Sequence, residues 1–188
     1  MRRVRRDDMR AAPWKNGGGV TYELAAFPEG AGFEDFVWRM SMAQVAADGP
    51  FSAFPGVDRT LTLIEGEGIA LDFSGAAVAL APGAAPFAFP GEAPVTGRLA
   101  QGAILDFNVM TRRARATHHV HILRAAEKAP ARTQALVSRR RGVKVAGFTL
   151  DVADALLAAP GETLAGVSAD AELIAVEIAG IRNDDALA

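Results

Sequence analysis

The sequence predicts an all-β, mostly antiparallel protein built as a barrel or a sandwich. Nineteen glycines and ten prolines punctuate its 188 residues and cut the apolar segments into short runs. Several runs alternate from side to side, as half-buried strands do. In Phe36-Val37-Trp38-Arg39-Met40-Ser41-Met42, the residues Phe36, Trp38, Met40 and Met42 share one face and Val37, Arg39 and Ser41 the other. Helical signals are few.

Taken in order, residues 20–24, 36–42, 59–64, 69–73, 76–80, 102–110, 120–123, 134–137 and 173–178 read as strands. Glu65-Gly66-Glu67-Gly68 is a hairpin turn, and Pro82-Gly83, Pro90-Gly91 and Pro160-Gly161 mark further turns. Residues 151–158 fit either two helical turns capped by Asp151 or a strand. Val152 and the flanking glycine and proline favour the strand. A Pro-Gly turn followed by a long apolar strand occurs at 81–109 and again at 159–178. This echo suggests two stacked β units, with a boundary near Ala116.

Composition narrows the function. The length suits one full domain or two small fused ones, and 50% hydrophobic residues support a packed core. A net charge of -2 argues against general nucleic-acid binding. With no cysteine there is no disulfide, thiolate metal site or cysteine nucleophile, which suits the cytosol. The basic start, Met1-Arg2-Arg3-Val4-Arg5-Arg6, leads into no apolar segment, so it is not a secretory signal. No apolar run reaches the roughly 20 residues that span a bilayer, so no membrane partner is expected.

Polar residues on otherwise apolar strands carry the functional expectation. Thr21 and Glu23 share a face, as do Arg39 and Ser41, and Asp106 and Asn108; Arg59 opens its strand on the face of Leu61 and Leu63. One such pair is readily explained by the wet side of an antiparallel sheet. Three pairs and an arginine point to a shared cavity, because an unpartnered buried charge costs several kcal/mol. Adding Lys15 to Glu23, Arg39, Arg59 and Asp106 leaves one net positive charge, and Asn16 adds a neutral hydrogen-bonding group. Such a set suits a small anionic ligand, a carboxylate that arginine holds through paired hydrogen bonds.

Trp14-Lys15-Asn16-Gly17-Gly18-Gly19 can present backbone N–H groups to an anion or simply form a tight turn, and the turn is the better reading. It has neither P-loop nor dinucleotide spacing, so no nucleotide cofactor is expected. Phe51 and Phe54 read as packing residues that pin the loop 46–59. His118, His119 and His121 hold all the histidine in the chain. His119 and His121 face one way on a strand, but a third ligand would have to be a distant carboxylate, so no metal is expected. The basic runs Arg112, Arg113, Arg115 and Arg139, Arg140, Arg141, Lys144 read as solvated turns. No nucleophile elbow or catalytic triad is present.

Trp14-Lys15-Asn16-Gly17-Gly18-Gly19 with Thr21 and Glu23 resembles the opening signature of the HutD/Ves family. So do Trp38-Arg39 with Ser41, residues 49–59, and Asp106-Phe107-Asn108-Val109-Met110 with Arg113. The resemblance covers about residues 1–120. It implies a cupin-type bicupin of two stacked small antiparallel barrels, an N-terminal one over 1–116 with the ligand pocket and a smaller C-terminal half over 117–188. It also implies a cytoplasmic regulator of histidine utilisation that binds an intermediate such as N-formylglutamate or urocanate. No firm catalytic activity comes with it. Where cupins carry their first metal motif, this chain reads Phe51-Ser52-Ala53-Phe54, with no histidine.

The expected binding set is therefore Lys15, Asn16, Thr21, Glu23, Arg39, Ser41, Arg59, Asp106 and Asn108. The alternative is a metal-free cupin isomerase, epimerase or hydrolase, with Glu23 or Asp106 as acid or base. A third possibility is a regulator that binds only a protein partner. A homodimer formed through a strand edge is compatible with all three.

Overall fold

The alternating runs become strands that pair throughout as antiparallel neighbours. The computed structural model describes residues 1–124, 127–159, 162, 164 and 166–180. The first strands are β1 (Arg2–Val4), β2 (Ala11–Pro13), β3 (Gly19–Phe27), β4 (Trp38–Val45), β5 (Gly49–Pro50) and β6 (Val57–Glu65). Next come β7 (Ile69–Asp72), β8 (Ala77–Leu80), β9 (Phe87–Pro90), β10 (Thr96–Leu99), β11 (Ile104–Arg112) and β12 (Thr117–Arg124). The last are β13 (Thr133–Ser138), β14 (Val143–Val145), β15 (Phe148–Leu150), β16 (Ala155–Leu157) and β17 (Glu172–Ala179).

The largest sheet has the order β2-β3-β4-β11-β6-β9 and faces a four-stranded sheet, β5-β10-β7-β8. Leu61 and Leu63 meet Ile69, Leu71 and Leu80 between them. A third sheet, β1-β16-β13-β17-β12, packs on the opposite side of the largest one, and β14 and β15 form a separate hairpin. Neither of the two facing sheets closes on itself, so the barrel expected from the sequence is here a pair of facing open sheets.

Alternation explains how one sheet serves two purposes. On β11, Leu105, Phe107 and Val109 point to a core shared with Val120, Val137, Ile174 and Val176 of the third sheet. Asp106, Asn108 and Met110 point the other way. Met40 and Met42 of β4 join the shared core, whereas Arg39 and Ser41 face with Asp106. At about 25 cal/mol per Å² of apolar surface removed from water, this double covering supplies much of the stability. Alternation fails before β4, where Val37 joins the shared core while Phe36 packs with Val57 and Met110, and at the register shift in β3, where Leu24 and Ala25 both face that core.

β1 pairs with β16, so residues 2–4 stand in the C-terminal sheet although they precede the N-terminal one. The segment 151–158 forms a turn and then β16, the strand alternative. The expected Pro160-Gly161 turn lies outside the described residues.

His118 ties the largest sheet to the third where the chain passes from β11 to β12. Its Nε2 lies 2.8 Å from the Thr60 hydroxyl and its Nδ1 2.8 Å from the Thr111 hydroxyl. Burial pushes this imidazole down to about 4 from its usual value near 6.5, with a smaller push from His119 and an opposing pull from Asp58. Among the other histidines, the rings of His119 and His121 stack 5.4 Å apart.

Replacing His118 by leucine is expected to cost about 1–3 kcal/mol, because it leaves the Thr60 and Thr111 hydroxyls without this partner. The native imidazole stays neutral where the unfolded one takes up a proton. Its contribution is therefore complete above pH 6.5 and is lost as the pH falls towards 4. Melting temperatures recorded across that window should fall more steeply for the native chain than for His118→Leu.

Candidate functional site

The cavity-facing side of the largest sheet, with the loops at its rim, encloses a space of about 590 Å³. Lys15, Asn16, Thr21, Arg39, Ser41, Arg59, Asp106 and Asn108 all line it. Glu23 does not, but its carboxylate lies 2.8 Å from Arg39 Nη2. Strand register brings them together: Asn108 on β11 lies between Ser41 on β4 and Leu61 on β6, and Ser41 lies beside Glu23 on β3.

The glycine run shapes the rim without forming an anion nest. It closes the β2–β3 hairpin: Trp14 N–H donates to Gly19 O at 2.9 Å and Gly17 N–H to Trp14 O at 3.0 Å. Gly17 has φ +72°, and a Cβ on Gly19 would come 2.5 Å from Gln44 O, so the turn needs glycine at both places. Asn16 Oδ1 accepts from Gly18 N–H at 3.0 Å, and the Trp14 indole donates to Thr21 Oγ1 at 2.8 Å. Asn16 and Thr21 are thus committed partly to building the rim.

Deeper in the cavity, polar atoms are left over. Arg59 is 5% exposed and donates from Nη1 to Ser52 O at 3.2 Å, but its Nε has no partner. Asp106, 1% exposed, has an unpartnered Oδ1, and so has Asn108. Burial pushes the Asp106 carboxyl up to about 7, against the pull of the Arg59 charge. The same burial brings Arg59 down to about 10, against the opposite pull of Asp106. The register between β11 and β6 shifts at Leu105/Asp106, and such a bulge redirects the residues beside it.

Aromatic residues complete the site, among them Phe51 and Phe54, whose expected role was packing. Phe51, Phe54 and Phe89 surround the Arg59 guanidinium at 5.5, 5.4 and 5.1 Å from its Cζ. These ring faces partly replace the water that burial removes from the cation. Phe33, 51% exposed at the rim, lies 4.3 Å from Arg39 Cζ. Nothing in its exposed loop pattern marked it in the sequence. Its loop is fixed by Arg112, whose guanidinium donates to the carbonyls of Phe33, Glu34 and Phe36.

The basic runs accordingly do more than solvate turns. Arg113 pairs with Asp58 at 2.8 Å and Glu92 at 3.0 Å, and Arg139 and Arg140 share Glu172.

Comparison with known proteins agrees with this architecture. The model of the HutD family matches residues 6–175. Protein Ves of Citrobacter koseri is 40% identical over 119 residues, 61% of each chain. An uncharacterised 21.2 kDa protein from the hutC 3' region of Pseudomonas putida is 42% identical over 108 residues, 57% of this chain and 56% of that one. The matched region thus spans about three-fifths of the length of these curated relatives.

Among solved structures, HutD from Pseudomonas fluorescens SBW25 (formate condition) superposes with a TM-score of 0.82 at 34% identity, covering 95% of this chain and 99% of the other. The conserved protein of unknown function PA5104 from Pseudomonas aeruginosa PAO1 gives 0.80 at 33% identity, covering 94% and 97%. Protein Ylba from E. coli, at 15% identity and 0.71, shares the fold. The chain belongs to the HutD family.

Proposed function

We propose that the cavity binds a small carboxylate and that the protein acts as a cytoplasmic small-molecule-binding regulator. The observation that carries this reading is Arg59: a buried guanidinium enclosed by aromatic rings, with Nε unpartnered, in a cavity open to a ligand. A buried guanidinium without a carboxylate counter-ion costs several kcal/mol, and a ligand carboxylate in the cavity that Arg59 lines supplies one. Lys15 and Arg39 are the other cations of the lining, and Arg39 is already partly neutralised by Glu23. Membership of the HutD family supports a role in histidine utilisation, with an intermediate such as N-formylglutamate or urocanate as ligand. On this reading each half of the molecule is a cupin-type unit, and the first holds the ligand.

The buried Asp106, poised to gain or lose a proton near neutrality, favours one alternative: a metal-free enzyme using it as general acid or base. Glu23 fits that role less well, because its carboxylate is paired with Arg39.

Titration calorimetry with N-formylglutamate and urocanate should detect binding of at least one. Arg59→Met should weaken it by roughly 10- to 100-fold, the worth of one or two charge-assisted hydrogen bonds. Equal affinity in the native protein, Arg59→Met and Arg39→Ala would remove the carboxylate reading.

The pH dependence follows from Asp106. Below pH 7 it is largely neutral and leaves Arg59 to the ligand; above pH 7 its negative charge opposes the incoming anion. Affinity for acetate, which does not itself titrate in this range, should therefore drop several-fold between pH 6 and pH 8. The drop should vanish in Asp106→Asn.

Turnover distinguishes the enzyme reading. Product formed from either intermediate by the native protein but not by Asp106→Asn would establish it, whereas no product from the native protein would dismiss it.

A further inference from the structure

Among the described residues, every sheet edge but one is short. β1, β2, β14 and β15 have three residues each, β5 has two, and β8 and β9 have four each. Proline ends β2, β5 and β9. Short edges and edge prolines keep a sheet from recruiting another strand. β12 has neither guard. It is eight residues long, holds no proline, and pairs with β17 without a break from Thr117–Ala179 to Arg124–Glu172. Among the described residues no strand pairs with its other side.

The direction of its free main-chain groups follows from β17. The Gln134 side chain holds both groups of Ile178 on the β13 side: Gln134 Nε2 donates to Ile178 O at 2.9 Å, and Ile178 N–H donates to Gln134 Oε1 at 2.6 Å. Opposed residues of an antiparallel pair point their groups either at each other or away from each other. His118 is opposite Ile178, so its N–H and C=O point away from β17. Val120 and Ile122 follow in phase. Arg124, next in that phase, has its N–H engaged by Glu127 Oε2 at 2.8 Å, which closes the edge at that end.

We infer that the protein forms a two-fold dimer through β12, joining the β1-β16-β13-β17-β12 sheets of two copies into one continuous antiparallel sheet. A second copy fits because the open groups are self-complementary. An axis through Val120 sets His118 opposite the partner's Ile122 and Val120 opposite the partner's Val120, so each N–H meets a C=O. An axis at His121 would call on Arg124, whose N–H is taken; one at His119 would set Ile122 opposite a residue outside β12. Main-chain pairing also suits the rest of the surface, where the exposed large hydrophobic residues are Met1 and Phe33 alone among those described. Val120 faces the shared core and Leu123 the opposite side, so the odd residues form the outer row. The pairing sets His119 beside the partner's His121 in that row, with Glu177 on the next strand. This inference does not depend on what the cavity holds.

One strand pair is a small interface, so the dimer is reversible, with a dissociation constant of roughly 10–500 μM. Sedimentation equilibrium from about 5 μM to about 1 mM, a range that brackets that constant, should show monomer passing to dimer. Amide exchange at His118, Val120 and Ile122 should slow as the concentration rises. Ile122→Pro removes an outward N–H and leaves the β12–β17 ladder complete; it should weaken association at least 10-fold. His119→Glu/His121→Glu, which sets a row of carboxylates across the axis, should do the same and decides the matter if the proline variant fails to fold. A monomer at every concentration overturns the inference. So does a dimer that the folded variants leave intact, or one that forms without slowing exchange at the three amides.

Discussion

Arg59 and Asp106 are buried on the same face of one sheet, each with a side-chain atom that has no hydrogen-bond partner. Burial works against both charges, and their mutual attraction only partly offsets it. A well-packed apolar face would be cheaper to fold, since buried charges seldom recover their desolvation in full. The surroundings fit that burden. Three aromatic rings enclose the cation, Ser52 O accepts a hydrogen bond from its Nη1, and the opposite face of the sheet is sealed against a continuous apolar core.

That second face makes the site rigid. β4, β6 and β11 are central strands, so the backbones carrying Arg39, Arg59, Asp106 and Asn108 are hydrogen-bonded on both sides. Their alternate residues interlock with the third sheet, and His118 fastens the two sheets through Thr60 and Thr111. The rim is built differently, from the glycine hairpin and from the loop carrying Phe33, which Arg112 holds by its carbonyls. A fixed polar floor beneath loop-borne walls is the arrangement in which binding groups are preorganised by a scaffold.

Much of this was legible from period-two alternation, which separates core from cavity on one strand without any knowledge of neighbours. That is why the polar residues of β3, β4, β6 and β11 could be grouped before their register was known. Information carried only by pairing was not legible. Whether the sheets close, and that β1 crosses to pair with β16, depend on long-range hydrogen bonds with no local signature. Phe51 and Phe54 look the same in sequence whether they pack against aliphatic residues or against a guanidinium. Phe33 sits in a loop with no periodicity to give its direction. The glycine run was ambiguous because turns and anion nests need the same backbone freedom; the hydrogen bonds of Trp14, Asn16 and Gly19 decide for the turn.

The coupling of a buried acid to an anion-receiving arginine can be observed at the acid itself. Carbon-detected NMR of the Asp106 carboxyl, titrated with and without saturating acetate, measures it directly. The account predicts a midpoint near 7 in the free protein that moves upward when acetate occupies the cavity and draws on Arg59. A midpoint near that of an ordinary aspartate, unmoved by acetate, would contradict it.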